Sequence, residues 1–506
     1  WSRNDKMEKQ KVLIIGAGPA GLAAAYKLLK DSNKYDVTIL EKEKEVGGLC
    51  KTISFKNKLL DYGVHFYRIS EYKEFNDIVY NLIPIEDNDS INNNLISKYV
   101  VKGENQFNTD NIMLINSATS NIYFNNKFYA YPIIINLDTI KKMGIINLFK
   151  IGFSYLKVLI HKKEETNLEN YYINRYGKKF YEMFFLEYTK KVCGVDPKDI
   201  HIDWGKQRIR ETSLLNILKE KIFKKKNIDN EPSLIEEYYY PKYGCGEVYK
   251  NLSKKIEKLG GKIIPNSNLK SVEIENNEIK EVCYTKDKNL KTIKPDYLVN
   301  SAPIKEFIKT IKDKDEDKSI TKLIRDLPFR DLILVNLVFS KKELMKLENY
   351  KLLKDNSWVF IQDPNIRFGR IKLANVWSSY MLGEDSKDKV VMTLEYCCDS
   401  RDPFSKLKNN DLLKEAKKEL KILKLFPRGG ILESKIDKIK NAYPAYYGSY
   451  NNRGDIINYL DKYRNIYFVG RAGQHQYIDM DKAMITGLSA AKSIIEGDND
   501  KKGVWL

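Results

Sequence analysis

The sequence predicts an α/β fold: a parallel β-sheet domain at the start of the chain, then a mainly helical region and a β-sheet region. Three observations predict it. Residues 12–40 alternate apolar strands with a glycine-rich turn and a helix-forming run. Residues 133–226 are mainly helical in pattern, and residues 327–396 contain extended apolar runs. Because 506 residues exceed the size of one ordinary domain, we expect two or three domains.

The turn after the first strand carries a phosphate-binding pattern. Gly16, Gly18 and Gly21 have the G-x-G-x-x-G spacing, and Pro19 and Ala20 stand where the helix begins. Gly16 permits a tight turn, Gly18 lets the backbone approach a pyrophosphate, and Gly21 lets the helix pack on the strand. The helix N-terminus adds unpaired N–H groups and a partial positive charge. We therefore predict a Rossmann-like domain that binds a dinucleotide.

The second strand, Val37–Leu40, ends at an acid that suits a ribose. Glu41 follows Gly21 by about 20 residues, the spacing at which a carboxylate accepts hydrogen bonds from the ribose hydroxyls. Gly47 and Gly48 come soon after and let the chain turn back near the cofactor. An NAD domain rarely needs that turn, so the cofactor predicted here is FAD.

Together with Gly47-Gly48, the segment Asp61-Tyr62-Gly63-Val64-His65 resembles a flavoprotein superfamily. This superfamily holds amine oxidases, protoporphyrinogen oxidase, phytoene desaturases and UDP-galactopyranose mutase. The resemblance implies that the doubled glycine and His65 lie near the flavin, where His65 could steer the redox state of N5; a purely structural role stays open. The cofactor-binding residues so predicted are Gly16, Gly18, Pro19, Ala20, Gly21, Glu41, Lys42, Gly47, Gly48, Leu49, His65, Gly470, Arg471, Asp479 and Met480.

The segment Tyr467–Asp481 (YFVGRAGQHQYIDMD) resembles a motif of UDP-galactopyranose mutase, G-R-x-G-x-x-x-Y-x-D-M-D. The resemblance implies that this turn meets the flavin ring, that Tyr477 touches a substrate diphosphate and that Asp479 lies near it. The helix that starts near Asp481 would direct its positive end at the turn. An ordinary strand–turn–helix is the alternative.

The segment Tyr188–Arg210 resembles a helical-domain motif of the same mutase, Y-T-x-K-x-W-G-x-x-P, although Cys193 replaces its tryptophan. The resemblance implies that Arg208 and Arg210 bind the diphosphate, for which the planar guanidinium is suited. Capping a helix, or pairing with nearby acids, is an equal alternative. Arg330 and Arg370 are candidates for a second diphosphate-binding arginine.

Composition excludes several classes of function. The net charge is +19, but lysine is spread over nearly every segment, so we expect no nucleic-acid partner. The six cysteines have neither disulfide nor zinc spacing, and the four histidines are scattered, so we expect reduced thiols, no metal site and a cytoplasmic protein. The polar N-terminus shows no signal-peptide pattern.

No segment has the 18 apolar residues of a membrane span. The longest apolar run, Ile145–Ile160, is interrupted by Lys150 and Lys157. Two interpretations stay open for it, a membrane-surface helix and an ordinary buried helix, and we favour the buried helix. Peripheral membrane contact therefore stays open as a minor alternative.

The chain divides into alternating parts of an FAD-binding domain and a substrate region. Asp87–Asn121 is polar and Asn-rich, so we expect a surface insertion there. The predicted parts are 1–75 (FAD-binding, first part), 76–132 (insertion and start of the substrate region), 133–230 (helical domain), 231–305 (FAD-binding, second part), 306–440 (β-sheet substrate domain) and 441–506 (FAD-binding, C-terminal part).

Two functions share this fold and cofactor. The mutase-like motifs favour a nucleotide-sugar pyranose/furanose mutase, with chemistry through N5 of reduced FAD and an electron donor that primes it. The alternative is an oxidoreductase similar to amine oxidase, protoporphyrinogen oxidase or a desaturase, whose site would be mainly apolar. A non-enzymatic FAD-holding scaffold has no motif in its favour.

Overall fold

A parallel sheet carries the N-terminal glycine motif. The computed structural model describes residues 8–87, 94–117, 119–131, 133, 137–208, 237–498 and 501–506. In chain order, the strands are β1 Gln10–Ile15, β2 Tyr35–Leu40, β3 Thr52–Phe55, β4 Lys58–Asp61, β5 Met113–Ser117, β6 Ser120–Phe124, β7 Lys127–Tyr131, β8 Glu237–Pro241, β9 Lys262–Ile264, β10 Ser267–Glu275, β11 Glu278–Lys286, β12 Asn289–Ile293, β13 Tyr297–Asn300, β14 Ile311–Asp313, β15 Phe329–Ser340, β16 Trp358–Ile361, β17 Arg370–Leu373, β18 Lys389–Cys398, β19 Glu433–Pro444 and β20 Ile466–Phe468.

Helices occur throughout the described chain. They span Pro19–Asp31, Lys73–Leu82, Asn94–Ser97, Leu137–Met143, Ile145–Ile160, Leu168–Tyr176, Lys178–Phe184, Leu186–Cys193, Asp203–Arg208, Glu247–Lys258, Ile304–Ile308, Lys318–Arg325, Lys341–Leu344, Glu348–Leu353, Ala374–Trp377, Asn409–Ile422, Arg453–Asp461, Gly470–Gly473 and Met480–Glu496. The predicted α/β class is confirmed.

The parallel sheet has five strands in the order β20-β13-β1-β2-β9. All four neighbouring pairs are parallel, and β1 is buried in the centre with its apolar residues covered on both faces. The first helix packs on the last: a Cβ on Gly487 would lie only 2.1 Å from the Ala20 carbonyl oxygen. The first and last described helices therefore pack together beside this sheet.

A second sheet, β12-β11-β10-β14, shares a hydrophobic core with the first. Its last strand, β14, lies within the part predicted as substrate domain, and so does the helix Lys318–Arg325, whose Ile324 joins that core. These two elements therefore pack with the first two sheets, and the boundary at 306 stays a prediction. The boundary predicted at 440 falls inside β19, because that strand continues to Pro444.

A seven-stranded sheet, β19-β15-β18-β17-β16-β6-β7, forms the third layer. Its neighbours are antiparallel except β16 and β6. The helix Asn409–Ile422 packs its Leu412, Ala416 and Leu420 into the core on one side. Strands β6 and β7 come from the part of the chain before the helical region, so this sheet is built from two distant segments.

The segment Asp87–Asn121 is not a simple surface insertion, as the sequence suggested. It contributes β5, which pairs with β8 across more than 100 positions of sequence, and it buries Tyr99 and Met113. Its asparagines occupy turns and edges, while a few apolar residues enter the core. The part between residues 88 and 93 lies outside the described residues.

Helices between residues 137 and 208 form the helical region, and residues 209–230 of that predicted domain lie outside the described ranges. The helix Ile145–Ile160 is not the buried helix that we favoured, because only Ile151, Tyr155 and Val158 are buried. Where the structure describes the chain, no single helix is long and apolar enough to cross a membrane. The bent pair Leu137–Met143 and Ile145–Ile160, at 97°, passes that test jointly by length and composition.

Candidate functional site

Two glycine turns face each other at the carboxyl edge of the parallel sheet. A Cβ placed on Gly48 would lie 3.3 Å from the Cα of Gly18. The Gly47 N–H donates to the Ala17 carbonyl at 2.8 Å, which ties the second turn to the first. Gly47 and Gly48 have φ of +107° and +56°, a backbone region that favours glycine. Bare backbone therefore lines both sides of this edge.

The first helix starts at this edge with its N–H groups uncapped by side chains. It begins at Pro19, and the Gly18 cap has no side chain to accept from the first turn. A Cβ on Gly21 would lie 2.1 Å from the Gly16 carbonyl oxygen. The helix therefore lies so close to the turn that only glycine fits at position 21. Such an end is suited to a phosphate.

Glu41 is held at the carboxyl end of β2 by two backbone donors. Its Oε2 accepts from the Ala17 N–H at 2.7 Å and its Oε1 from the Glu43 N–H at 2.8 Å. Burial raises the pKa of this carboxyl, although the two hydrogen bonds oppose the rise. Each oxygen keeps a further lone pair for a ribose hydroxyl. Next to it, Lys42 is exposed.

The C-terminal turn packs against the same helix. Gly470 has φ +73°, and a Cβ there would lie 2.9 Å from the Ala20 Cβ. The helix Met480–Glu496 begins directly after Asp479 and has no side-chain cap. Two helix N-termini and three glycine turns thus meet at one edge, which is a setting for an anionic dinucleotide.

His65 is half-buried, and its side chain lies near Glu395 on either side of Gly63. Its Nδ1 is buried, and the described part of the chain offers it no hydrogen-bond partner. The Oε1 of Glu395 is likewise buried without one. A Cβ on Gly63 would touch both side chains, at 3.9 Å and 3.8 Å. Because unpaired buried polar atoms are rare, these two suggest room for a polar group that completes the site.

Tyr477 contacts a cation and another tyrosine, and the cation also lies 5.8 Å from the Tyr443 ring centroid. The Arg471 guanidinium lies 4.6 Å from the Tyr477 ring centroid, and Tyr443 stacks on Tyr477 at 5.5 Å. Arg471 is fixed by donating from Nε to the Ile478 carbonyl at 2.8 Å, whereas Asp479 is exposed and 4.0 Å from the guanidinium. The turn thereby presents an aromatic pair with a cation over it.

A hydrogen-bonded chain connects Tyr477 to the helical region. The Tyr446 hydroxyl accepts from the Tyr477 N–H at 2.7 Å and donates to Gln207 Oε1 at 2.7 Å. Trp204 packs its ring edge on Tyr477 at 5.1 Å. The helix Asp203–Arg208 is thus anchored next to the turn. The Arg208 side chain and Arg210 lie outside the described part, so their predicted contacts stay predictions.

Of the two further arginines, Arg370 lies in this cluster. Its Nη2 lies 2.5 Å from the carboxylate of Glu395, which is the directly opposite residue on β18. Glu395 is buried, and the Arg370 side chain is 19% exposed. Burial lowers the pKa of Arg370, but Glu395 outweighs it and raises the pKa above the usual range, with Tyr188, Tyr443 and Tyr477 adding to the rise.

Arg330 has a different task. Its guanidinium donates to Asp399 at 2.7 Å and to the Val192 carbonyl at 3.1 Å. It also lies so close to Gly194 that a Cβ there would be 2.2 Å from Nη1. Arg330 therefore joins the helical motif to β15, and the cluster around Tyr477 has Arg370 instead.

With this geometry established, comparison with known proteins identifies the fold. The family model of an NAD(P)-binding Rossmann-like domain matches residues 14–82. A crystal structure of reduced UDP-galactopyranose mutase superposes on 98% of this chain and 97% of its own, with a TM-score of 0.77 and 16% identity. The chain has the fold of UDP-galactopyranose mutase. The predicted resemblance to the FAD-dependent amine oxidase-like superfamily is thereby confirmed in its fold.

Further solved structures share this fold with lower TM-scores. A putative protoporphyrinogen oxidase from Exiguobacterium sp. 255-15 has a TM-score of 0.65 at 14% identity, covering 97% of this chain and 99% of its own. Putrescine oxidase bound to putrescine has a TM-score of 0.58 at 14% identity, covering 96% and 99%. Both mutase and oxidase structures therefore share the architecture.

Two curated proteins match parts of the sequence. The dTDP-fucopyranose mutase of Escherichia coli is 25% identical over 198 residues, or 38% of this chain and 43% of that protein. The inactive all-trans-retinol 13,14-reductase of Danio rerio is 36% identical over 74 residues, 15% of this chain and 12% of its own length. Each match spans less than half of the curated relative.

In this superfamily fold, the predicted cofactor residues of the three turns lie at one edge, and Tyr477 lies beside Arg471. Their roles stay predictions. Sequence reasoning missed Glu395 and Trp204. Glu395 meets Arg370 only through cross-strand pairing, for which the linear sequence has no signal. Trp204 comes shortly after the helical-domain motif, in which Cys193 replaces the expected tryptophan. That replacement was the signal in the sequence that could have drawn attention to Trp204.

Proposed function

We propose that this chain is an FAD-dependent flavoenzyme that interconverts the pyranose and furanose forms of a nucleotide sugar. The position of Tyr477 carries the proposal. This residue lies on the turn before the N-terminus of the helix Met480–Glu496, stacked on Tyr443 and next to two arginines. The full-length likeness to UDP-galactopyranose mutase and the partial match to dTDP-fucopyranose mutase support it.

The residues of the edge fit FAD. The uncapped N–H groups after Gly18 would hold its pyrophosphate, and Glu41 would accept from its ribose. The turns at Gly48 and Gly470 would flank it, and the unpaired Nδ1 of His65 would lie toward the ring. When bound and reduced, this cofactor supplies a nucleophilic nitrogen, N5, for the anomeric carbon of a sugar.

The protein would bind and orient the substrate. Arg370 would offer the donors of its Nη1 to phosphate oxygens, because its Nε and Nη2 already pair with Glu395, and Tyr443 and Tyr477 would supply hydroxyls beside it. Arg471 fixes the Tyr477 ring rather than reaching outward, because its Nε is used by the Ile478 carbonyl. We propose that Arg208 and Arg210, at the end of the anchored helix, complete the diphosphate site. The uncapped helix after Asp479 would stabilise negative charge that develops in the turn.

An oxidoreductase of amines is the second candidate, and the stacked tyrosines favour it because aromatic faces attract cations. The arginines weigh against it. Arg471 already occupies the Tyr477 face at 4.6 Å, and Arg370 adds a second buried guanidinium, so a cationic amine would meet like charge. The same two cations suit an anionic diphosphate.

The test begins with the purified protein and its absorption spectrum. We expect a flavin spectrum, bleaching by dithionite, and then conversion of UDP-galactopyranose or dTDP-fucopyranose to the furanose form, followed by chromatography. Furanose should form only with the reduced protein. A protein that forms no furanose from either sugar, and whose flavin is bleached by putrescine instead, is an oxidase and contradicts the proposal.

A variant separates the two candidates further. Tyr477→Phe keeps the aromatic stack but removes the hydroxyl predicted to touch the diphosphate, so the KM for the nucleotide sugar should rise by roughly ten-fold. Tyr459→Phe, at a tyrosine outside the cluster, is the matched control. An unchanged KM in Tyr477→Phe would remove Tyr477 from substrate binding.

A further inference from the structure

The helix Ile145–Ile160 carries apolar residues on two sides. One side buries Ile151, Tyr155 and Val158 against the helical region. The other side, which we call the apolar face, consists of Ile145, Ile146, Phe149, Phe153, Leu156, Leu159 and Ile160, each between 49% and 87% exposed. Large exposed hydrophobic residues number seventeen in the described ranges, and seven of them lie in this one helix. Such clustering marks an interaction surface.

The apolar face is continuous along the helix. At 100° per residue, its seven residues fall within about 140° of the circumference, and Gly152 is the other residue in that arc. The helix is roughly 24 Å long at 1.5 Å per residue. Leu137, 76% exposed on the preceding short helix, extends the exposed apolar surface. The surface is therefore a strip rather than a pocket.

Positive charge flanks the strip. From Thr139 to Lys163 the sequence has six lysines and no acidic residue. Lys150 and Lys157 lie along one edge of the apolar face, and the Lys157 ammonium is 4.7 Å from the Phe153 ring centroid. Lysines beside a phenylalanine- and leucine-bearing face characterise helices that lie in the headgroup region of anionic membranes.

We propose that this helix docks the protein on an anionic lipid bilayer, with the apolar face in the headgroup and acyl boundary and the lysines at the phosphates. The helix would lie in the plane of the surface rather than cross it. Its other side is packed on the protein through Tyr155 and Val158, and the preceding helix joins it at 97°. This docking does not depend on the proposed catalytic function.

The test is flotation of the full chain with vesicles of phosphatidylcholine alone or with about a third phosphatidylserine. We expect binding to the anionic vesicles that weakens with salt. Phe149→Gln with Leu156→Gln should weaken it about ten-fold or more, since both residues would leave the acyl boundary. The matched control is Phe107→Gln with Leu290→Gln, which removes the same residue types at similarly exposed sites and should bind as the wild type does.

The lysines are tested separately. Lys150→Gln with Lys157→Gln should lower binding to the anionic vesicles about five-fold per lysine. Lys254→Gln with Lys258→Gln, two exposed lysines of another helix, removes the same charge and should have a smaller effect. Circular dichroism of each variant checks that it is folded.

Three results would overturn the inference. The first is that the wild type binds neither kind of vesicle. The second is that the apolar-face variant binds as well as its control. The third is that the wild type forms a dimer in the absence of vesicles and the apolar-face variant does not. The last result would assign the face to a second copy of the chain. A protein that lacks flavin or mutase activity but floats with the vesicles would contradict only the proposed function.

Discussion

The buried pair of Arg370 and Glu395 offers the sharpest test of the cluster around Tyr477. The two residues are directly opposite on β17 and β18, with the Nη2 and Nε atoms 2.5 Å and 2.7 Å from Oε2. The side chains are 19% and 4% exposed, so water screens the pair little. Removing one partner leaves the other charge buried without its counterion.

The magnitude follows from that burial. Arg370→Leu or Glu395→Leu alone should lower the free energy of unfolding by about 3–5 kcal/mol, because an uncompensated buried charge remains. The double variant should lose no more than about 1 kcal/mol, since leucines on neighbouring strands pack together and no charge is buried. The exposed pair Glu348 and Lys351, with its charged atoms 2.6 Å apart, is the control, and Lys351→Leu should cost about 0.5 kcal/mol or less.

Urea unfolding of the wild type and the four variants measures these differences, and titration with a nucleoside diphosphate measures binding. The double variant should be folded yet bind the diphosphate at least ten-fold more weakly, because it has lost the guanidinium. Single variants as stable as the double variant would refute the buried-pair argument. A double variant with unchanged affinity would remove Arg370 from the diphosphate site.

Two further predictions concern the glycine turns and a buried histidine. Gly48→Ala should abolish FAD retention, because the new Cβ would lie 3.3 Å from the Gly18 Cα. The control Gly448→Ala has a similar φ of +61° but nothing within 4 Å of its new Cβ, so this variant should retain FAD. Equal retention of FAD by the two variants, measured by absorbance, would contradict this prediction. Burial lowers the pKa of His475 to about 3, while an unfolded histidine titrates near 6.5. The unfolded state therefore binds the extra proton between these values, and stability should fall by about 1.4 kcal/mol per pH unit as pH drops from 6.5 toward 3. Urea unfolding at pH 4 and 7 measures this loss of stability, which His475→Gln should lack. The variant His161→Gln, at an exposed histidine, should keep it. Parallel pH profiles for the wild type and His475→Gln would show that His475 is already protonated in the fold.

Local sequence predicted the first strand–turn–helix and the C-terminal turn because their signals depend on neighbours along the chain. Gly16, Gly18 and Gly21 are needed by a single turn, and the strand before Gly470 is a short apolar run. The fold places Gly470 against Ala20, a contact that neither segment alone reveals. The prediction of a surface insertion at Asp87–Asn121 was wrong because polar composition outweighed the few apolar residues that enter the core.

The helix Ile145–Ile160 shows the limit of composition. It is apolar nearly all round, and periodicity cannot say which side packs on the protein. Only its neighbours decide that Tyr155 is buried and Phe149 exposed. The same holds for Arg330 and Arg370, which were equal candidates in the sequence and have different partners in the fold.

The sequence by itself determined the dinucleotide fingerprint, the superfamily resemblance and the α/β class, because glycine spacing and strand periodicity are local consequences of backbone sterics. Only the tertiary structure decided that Gly48 faces Gly18, that Glu395 is the counterion of Arg370 and that one apolar face stays exposed. The two contacts join residues that are distant along the chain. Strand register and helix packing determine these contacts and also which face of the helix stays exposed.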